Sequence, residues 1–390
     1  MKSISRLLGG ILCAGLVTGT AQADININGF ASVGGGWYNG DTTGATYGGY
    51  DQHFAADPVN KLGLQFSSVV NDKITATGQL LAKGSKDYDI EAAWAYLSYA
   101  VNDDLDVRGG RLRAPFFPYS DFLDVGYAYP WITPPGDVYR FIFDTVEGVD
   151  LLYRAEHGDW YATYQAYFGR LTDETRLAGE DVDMDLENFS GVNVTLNRDW
   201  LTLRASYNRA KVTIGSPSDA ADLLALLDAA GFAETAEKLE IDNEKAAFWG
   251  LGALVDYDDW LFNTEYTEID QGNQSLLSSD KAWYAMIGKR IDEFTVHFTY
   301  SMQESDPDYD VLSGIPDGTA LTSPPFPVAI PDLKETARSA ISVGDTETMT
   351  LGVRYDFAEA TSLKVEVSEI ENNATDTDGT LVAFAIDTVF

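Results

Sequence analysis

Trp200-Leu-Thr-Leu-Arg-Ala-Ser-Tyr-Asn208 places Leu201, Leu203, Ala205 and Tyr207 on one face of an extended chain and Thr202, Arg204, Ser206 and Asn208 on the other. Successive side chains of a strand point to opposite faces, so this stretch has one apolar surface and one wet one. Phe294-Thr-Val-His-Phe-Thr-Tyr-Ser-Met302 and Met349-Thr-Leu-Gly-Val-Arg-Tyr-Asp-Phe357 repeat the pattern. Followed outward from these three, alternation predicts strands at 24–39, 59–70, 73–84, 90–101, 105–114, 146–156, 159–171, 187–198, 200–211, 244–256, 260–270, 280–291, 294–304, 345–357, 361–372 and 380–390, sixteen in all.

The connections alternate in length. Short ones, most with a turn-forming Asn, Asp or Gly, fall at 71–72, 102–104, 157–158, 198–199, 257–259, 292–293 and 357–361. Long ones fall at 40–58, 85–89, 115–145, 172–186, 212–243, 271–279, 305–344 and 373–379. Seven short and eight long connections are what sixteen antiparallel strands require when both chain ends lie on the short-turn side. No apolar stretch after the first 23 residues approaches the roughly 20 residues of a membrane-spanning helix. The reading is therefore all-β: a 16-stranded antiparallel transmembrane barrel with short periplasmic turns and long exterior loops. Trp160, Trp200 and Trp260 each follow an Asp beside a short turn, where they fit the aromatic girdle at the membrane boundary. A buried Trp in a soluble sandwich is the alternative, but the Asp-Trp punctuation recurs only at short-turn ends.

Residues 1–23 read as a secretory signal: Lys2 and Arg6, an apolar run from Leu7 to Val17, then Ala21-Gln22-Ala23 before the cut. The only cysteine, Cys13, lies inside that run, so the mature chain 24–390 has no thiol chemistry. The full chain carries 26 basic and 61 acidic residues, net −35; losing Lys2 and Arg6 makes it 24 − 61 = −37. Such a balance excludes a nucleic-acid surface, which needs a basic patch. It implies acidic exterior loops, and Asp173, Glu174, Glu180, Asp181, Asp183, Asp185 and Glu187 form one such cluster. That cluster, or Asp306, Asp308 and Asp310, has the oxygen chemistry to hold a hard cation, but a solvated acidic loop is the simpler account and no metal is assigned. In the loop 212–243, Ser216-Pro217 ahead of Asp219 gives a cap and first-turn proline for a short helix over 220–227, broken at Gly231.

The third long connection is unlike the rest. It runs for about thirty residues, a length that marks a functional segment. Prolines at 115, 118, 130, 134 and 135 forbid a continuous helix or central strand. The chain ends Phe384-Ala-Ile-Asp-Thr-Val-Phe390, an alternating strand closing on Phe, which resembles the sorting signal read by the barrel-assembly machinery of bacterial outer membranes. Together with the signal, the sixteen strands and the Gly110-Arg111 pair entering the long third loop, residues 24–390 resemble a general porin of Gram-negative outer membranes. That resemblance implies a homotrimer in outer-membrane lipid and lipopolysaccharide and an inward-folded third extracellular loop at about 115–145. It also implies passive diffusion of small hydrophilic solutes and ions, with no cofactor. In one respect the chain departs from the family: its second exterior loop, which elsewhere reaches the neighbouring subunit, spans only 85–89.

The resemblance further implies acidic loop residues opposite a basic wall. Asp121, Asp124, Asp137 and Asp144 are the loop candidates. By alternation Lys73, Arg108, Arg154, Arg204, Arg354 and Lys364 point to the lumen. Arg111 and Arg113 have the opposite phase, and a bulge at Gly109-Gly110 is expected to turn both inward. Phe116, Phe117, Phe122, Tyr127, Tyr129 and Trp131 read as anchors packing the loop to the wall rather than as a sugar track. Trp160, Trp200, Trp260 and Phe390 are the membrane-interface aromatics. Two other function classes stand against the general channel. One is a channel selective for an anion such as phosphate, with Arg108, Arg111 and Arg113 as its cluster, or for an oligosaccharide. The other is a barrel enzyme, disfavoured because His53, His157 and His297 are scattered and no nucleophile motif accompanies them.

Overall fold

The computed structural model describes residues 25–272, 276–323, 326 and 329–390. The expected signal at 1–23 lies outside the described residues. Sixteen strands follow in order: β1 (Ile25–Gly40), β2 (Lys61–Asn71), β3 (Ile74–Lys83), β4 (Ile90–Ala100), β5 (Leu105–Arg113), β6 (Thr145–His157), β7 (Trp160–Leu177), β8 (Glu180–Arg198), β9 (Leu201–Ile214), β10 (Ile241–Tyr257), β11 (Trp260–Asp270), β12 (Ser279–Ile291), β13 (Phe294–Asp306), β14 (Asp345–Ala358), β15 (Thr361–Asn372) and β16 (Thr377–Val389). Each pairs antiparallel with its sequence neighbours, and β1 pairs with β16 to close the barrel. Closure leaves no strand edge unpaired. The last residue takes part in it: Phe390 N donates to Gly29 O at 2.9 Å, and Gly29 N donates back at 2.7 Å.

Two faces separate cleanly. Phe168, Leu251, Phe298 and Leu351 are exposed on the outside, while Asn208, His297, Thr299 and Ser301 are buried on the inside, each within one alternation of the other set. Trp200 and Trp260 are among the exposed outer residues, with Trp200 5.7 Å from Tyr257 and Lys289 4.8 Å over the Trp260 ring. Arg198 sits 5.8 Å over Trp160, and Phe390 is exposed at the seam. These aromatics ring the short-turn end.

The long-loop end holds three departures from expectation. The acidic connection 172–186 is no loop: β7 and β8 run on as a hairpin through Ala178 and Gly179, both at positive φ, with Arg176 opposite Asp181 and Glu174 opposite Asp183. Its apolar side explains the extension, since Leu171, Val182, Met184 and Leu186 are all buried. The segment after β9 contains two helices, α1 (Ser218–Ala229) and α2 (Ala233–Leu239), separated at Gly231, whose φ of +91° ends the first. The expected cap at Ser216 with Pro217 in the first turn is shifted by one residue: Pro217 occupies the N-cap, and Glu180 of the hairpin accepts from Ser218 N at 3.1 Å and from its hydroxyl at 2.7 Å. A third helix, α3 (Leu333–Ala340), capped by the Asp332 carboxylate, was not foreseen. Leu227, Leu239, Leu312, Ile315 and Leu333 bring α1, α2, α3 and the 309–314 turn into a second small core. Asp308 in that region accepts from Asp310 N at 2.9 Å, so it caps a turn.

Candidate pore site

The proline- and aromatic-rich segment starts where β5 stops. Strand pairing of β4 with β5 ends at Ala95 and Arg111, and the base of the segment is closed by Ala114 N donating to Asp144 O at 2.8 Å. No bulge interrupts the ladders through Gly109 and Gly110, although Gly110 has φ +140° and its missing Cβ would stand 2.2 Å from Ala95 O. Arg111 consequently keeps the phase of Val107. It pairs with Glu147 at 3.2 Å and Asp173 at 3.1 Å on the β6–β7 wall, which corrects its expected inward turn. Arg113 does reach the inside, because the chain has already left β4 by that point. It pairs there with Asp124 and Asp144 and lies 5.4 Å from the Trp94 ring.

Three inner-face bases hold the segment by its backbone. Arg204 donates to Pro115 O at 2.8 Å, Arg354 to Tyr127 O at 2.7 Å and Tyr129 O at 3.1 Å, and Lys364 to Gly126 O and Trp131 O, both at 2.5 Å. Wall hydroxyls and carboxylates add to them: Ser206 donates to Phe116 O at 2.8 Å, Thr299 accepts from Trp131 Nε1 at 2.8 Å, and Glu366 accepts from Ile132 N at 2.9 Å. A proline-rich chain outside any sheet has many unpaired carbonyls, so cationic side chains are the natural partners. Phe116, Phe117, Tyr119, Tyr129 and Trp131 pack against Phe189, Phe248, Tyr284 and Met286 of the wall. Phe116 lies 5.8 Å from Phe189 and 5.2 Å from Phe248. Phe122 packs on Tyr119 at 5.5 Å, and Tyr127 lies under Arg354 at 4.5 Å.

The acidic candidates have different surroundings. Asp124 is buried and paired with Lys83 at 2.9 Å as well as with Arg113. Burial favours its neutral form, but Lys83, Arg113 and Lys61 outweigh that and hold the carboxyl well below its ordinary range. Asp137 accepts from Ser301 at 2.6 Å and Thr346 at 2.8 Å. Asp144 serves Arg113, and Asp121 is exposed with no ion pair among the described residues. On the wall, Arg108 pairs with Asp150 and stacks 5.4 Å from Tyr96, and Arg154 pairs with Asp106 at 2.7 Å. Lys73 is a correction. Asn71 Oδ1 accepts from both Lys73 N and Ile74 N, so β3 starts one residue later; Lys73 sits in the turn, 5.7 Å over the exposed Tyr99. Residues that alternation alone did not single out are Lys83, Asp150, Glu265 and Asp387, each an inner-face partner for one of the groups above. Their signal was present only as parity, without a partner to give it meaning.

The stretch 127–131 lies between two cavities. One, of about 540 Å³, is lined by Tyr127, Tyr129 and Pro130 with Trp200, Arg290 and Arg354 toward the short turns. The other, of about 400 Å³, is lined by Trp131, Asp137 and Arg140 with Thr299, Ser301 and Thr346 toward the long loops. His297, buried beside Trp131, lies 3.5 Å from Glu366; His53 and His157 lie elsewhere, beside Asp51 and Tyr164.

A closed antiparallel barrel with an apolar outside and a charged, hydroxyl-lined inside defines an outer-membrane channel protein. The chain belongs to the Gram-negative porin family, whose family model matches residues 10–375. The fold is similar to that of the outer-membrane channel DcaP of Acinetobacter baumannii, with TM-score 0.57 at 13% identity over 95% of this chain and 99% of that one. It is similar also to OmpF of Salmonella typhi, with TM-score 0.56 at 14% identity over 94% and 97%. OmpT of Vibrio cholerae in its trimer form gives TM-score 0.51 at 12% identity over 94% and 99%. A comparison with curated protein sequences finds no match. The protein is thus a porin of the outer membrane, a channel for passive diffusion.

Proposed function

We propose that residues 114–144 form the constriction of this channel, and that small hydrophilic solutes and ions pass it without turnover or cofactor. The observation that carries the reading is the set of bonds from Arg204, Arg354, Lys364, Thr299 and Glu366 to the segment, five inner-face side chains from four strands. A segment tethered to the inside of a closed barrel narrows whatever passes. Arg108, Arg111 and Arg113 each already have a carboxylate partner, so the cluster that would favour a phosphate-selective channel is neutralised. Pairwise neutralisation also argues for weak charge selectivity in spite of the net −35, because charges more than a Debye length of about 8 Å from the path are largely screened. A homotrimer, as in the trimer form of the Vibrio OmpT, completes the proposal.

Single-channel recording in a planar bilayer tests it. Ohmic steps that close in threes at high voltage and ignore added sugars and phosphate are expected. Small steps blocked by low concentrations of either solute would point instead to a selective channel, and an absence of conductance would reject the diffusion pore.

A further inference from the structure

The connection between β1 and β2 does not stand clear of the barrel. Strand β1 pairs with β2 only as far as Ser32 opposite Lys61, yet it runs on to Gly40 against β16. Above Ser32 its other edge would be left with unpaired N–H and C=O groups. The returning connection fills that edge. Gly36 and Ala55 exchange two backbone hydrogen bonds, both at 2.9 Å, Tyr38 N donates to Asp51 O at 2.7 Å, and Asn60 Oδ1 accepts from Gly34 N at 2.8 Å. Phe54, on this returning stretch, is exposed and stacks on the outer residue Phe384 with ring centroids 6.1 Å apart.

The tip of the connection goes the other way. Tyr47-Gly48-Gly49-Tyr50 is a tight turn: Tyr47 N donates to Tyr50 O at 3.0 Å and Tyr50 N donates back to Tyr47 O at 2.9 Å, across two glycines at φ +59° and +87°. Side chains rarely adopt two successive positive φ values, so the Gly-Gly pair is what lets the chain reverse here. Tyr50 is buried in one cluster with Ile132 of the segment and with Ala383 and Ala385 of β16, which flank the exposed Phe384 and so stand on the inner face. The Tyr47 ring lies 5.8 Å from that of Tyr38, another buried residue of this cluster. Its hydroxyl reaches the segment, where the missing Cβ of Gly136 would stand 3.8 Å away. The turn thus lies within the wall, and Tyr47, Gly48 and Tyr50 line the cavity of about 400 Å³ that Trp131, Thr299 and Ser301 also line.

We infer that the Tyr47–Tyr50 turn is a second constriction of this channel, on the long-loop side of residues 127–131, and that the Tyr47 ring sets the largest solute admitted. A solute arriving from the long-loop side then meets two inward elements in turn. The four residues of the turn carry no charge, so it sorts neutral solutes by size and leaves charge selectivity as it is. The inference rests on the proposed reading that solutes diffuse through this lumen, but not on the role given there to residues 114–144.

Swelling of proteoliposomes in isotonic arabinose, glucose, sucrose and raffinose, with the full-length protein, tests the inference. Tyr47→Ala is expected to raise the raffinose rate relative to the arabinose rate several-fold, and Tyr47→Phe, which keeps the ring, to hold the unaltered ratio. Phe54→Ala, in the same connection but on the outside, should leave the ratio alone. The reversal potential of Tyr47→Ala in a salt gradient should match that of the unaltered protein. Should Tyr47→Ala fail to fold, Tyr47→Leu, shorter than the ring but still apolar, is read for a smaller change of the same sign. An unchanged ratio in the folded Tyr47 variant, or an equal change in Phe54→Ala, would overturn the inference, since the turn would then pack the wall without touching the path. Trp131→Ala in the same assay separates the two readings. A shift in Tyr47→Ala without one in Trp131→Ala supports the turn and removes the constriction from residues 114–144, and the reverse removes the turn. No swelling with the unaltered protein would reject the diffusion pore and the inference with it.

Discussion

Trp131 Nε1 donates to Thr299 Oγ1 at 2.8 Å, joining a residue of the segment between β5 and β6 to the inner face of β13. The indole is 1% exposed and is also held through its carbonyl by Lys364, so one residue is fixed from two strands.

If the segment is the constriction, loosening this residue should widen the pore. Trp131→Ala is expected to cost about 3–5 kcal/mol, as buried Trp truncations do, and to give larger, noisier single-channel steps. Thermal unfolding and conductance, measured on the same sample, check both. Unchanged conductance with lowered stability would show that the segment packs without gating size.

Asp124 neutralises Lys83 and Arg113. Asp124→Asn leaves Lys83 without its carboxylate and Arg113 with Asp144 alone, and breaking a buried pair in this way typically costs about 3–5 kcal/mol. The reversal potential in a salt gradient should move toward that of the anion, whereas the unaltered protein should give one near zero. A large intrinsic potential of either sign would contradict pairwise neutralisation.

Acid gives a separate check on the same group. Its carboxyl is held below the ordinary value of 3.8, so its contribution to stability is fully present above that value and is lost only as pH falls through the lower folded one. Conductance and thermal stability should therefore show no transition from this group between pH 7 and pH 4. A step near pH 4 that disappears in Asp124→Asn would count against the pairing.

At the seam, Phe390 and Gly29 exchange two backbone hydrogen bonds. Deleting Phe390 removes both and uncovers Gly29, whose missing Cβ would stand 2.3 Å from the Phe390 ring. Heat-modifiable gel mobility should show a smaller closed-barrel fraction, while Phe390→Tyr should retain it.

Gly110 has a φ that side chains rarely adopt, and a Cβ there would meet backbone rather than a yielding side chain. Gly110→Ala should destabilise by more than the roughly 1 kcal/mol by which the same change stabilises at a site whose backbone suits alanine. Urea-dependent opening of the β4–β5 region, followed by hydrogen exchange, is the measurement; protection equal to that of the unaltered protein would refute the strain.

The barrel itself was legible because alternation is a local property. A strand with one face in lipid and one in water must write that period into its own residues, which is why sixteen segments, their order and their short turns could be read from the chain. Parity likewise identified Arg108, Arg154, Arg204, Arg354 and Lys364 as inner-face residues. It failed at Lys73, where a one-residue difference in strand start removes the residue from the ladder, and at Arg111, where glycines allowed a bulge that the neighbouring strands did not need. The β7–β8 hairpin was missed because seven acidic residues masked an apolar alternation only the wall beside it could reveal.

Partner choice was a matter for the tertiary structure. That Arg354 and Lys364 serve the carbonyls of Tyr127, Tyr129, Gly126 and Trp131, while Asp124 finds Lys83 and Arg113, depends on which strands face one another across a closed ring, at separations of more than 200 residues for the first pair of anchors. Period and turn chemistry determined, from sequence alone, that a barrel forms and the face on which Arg108, Arg154, Arg204, Arg354 and Lys364 stand. Closure of the ring decided which of those side chains meet, because contact across a lumen has no local signature in the chain.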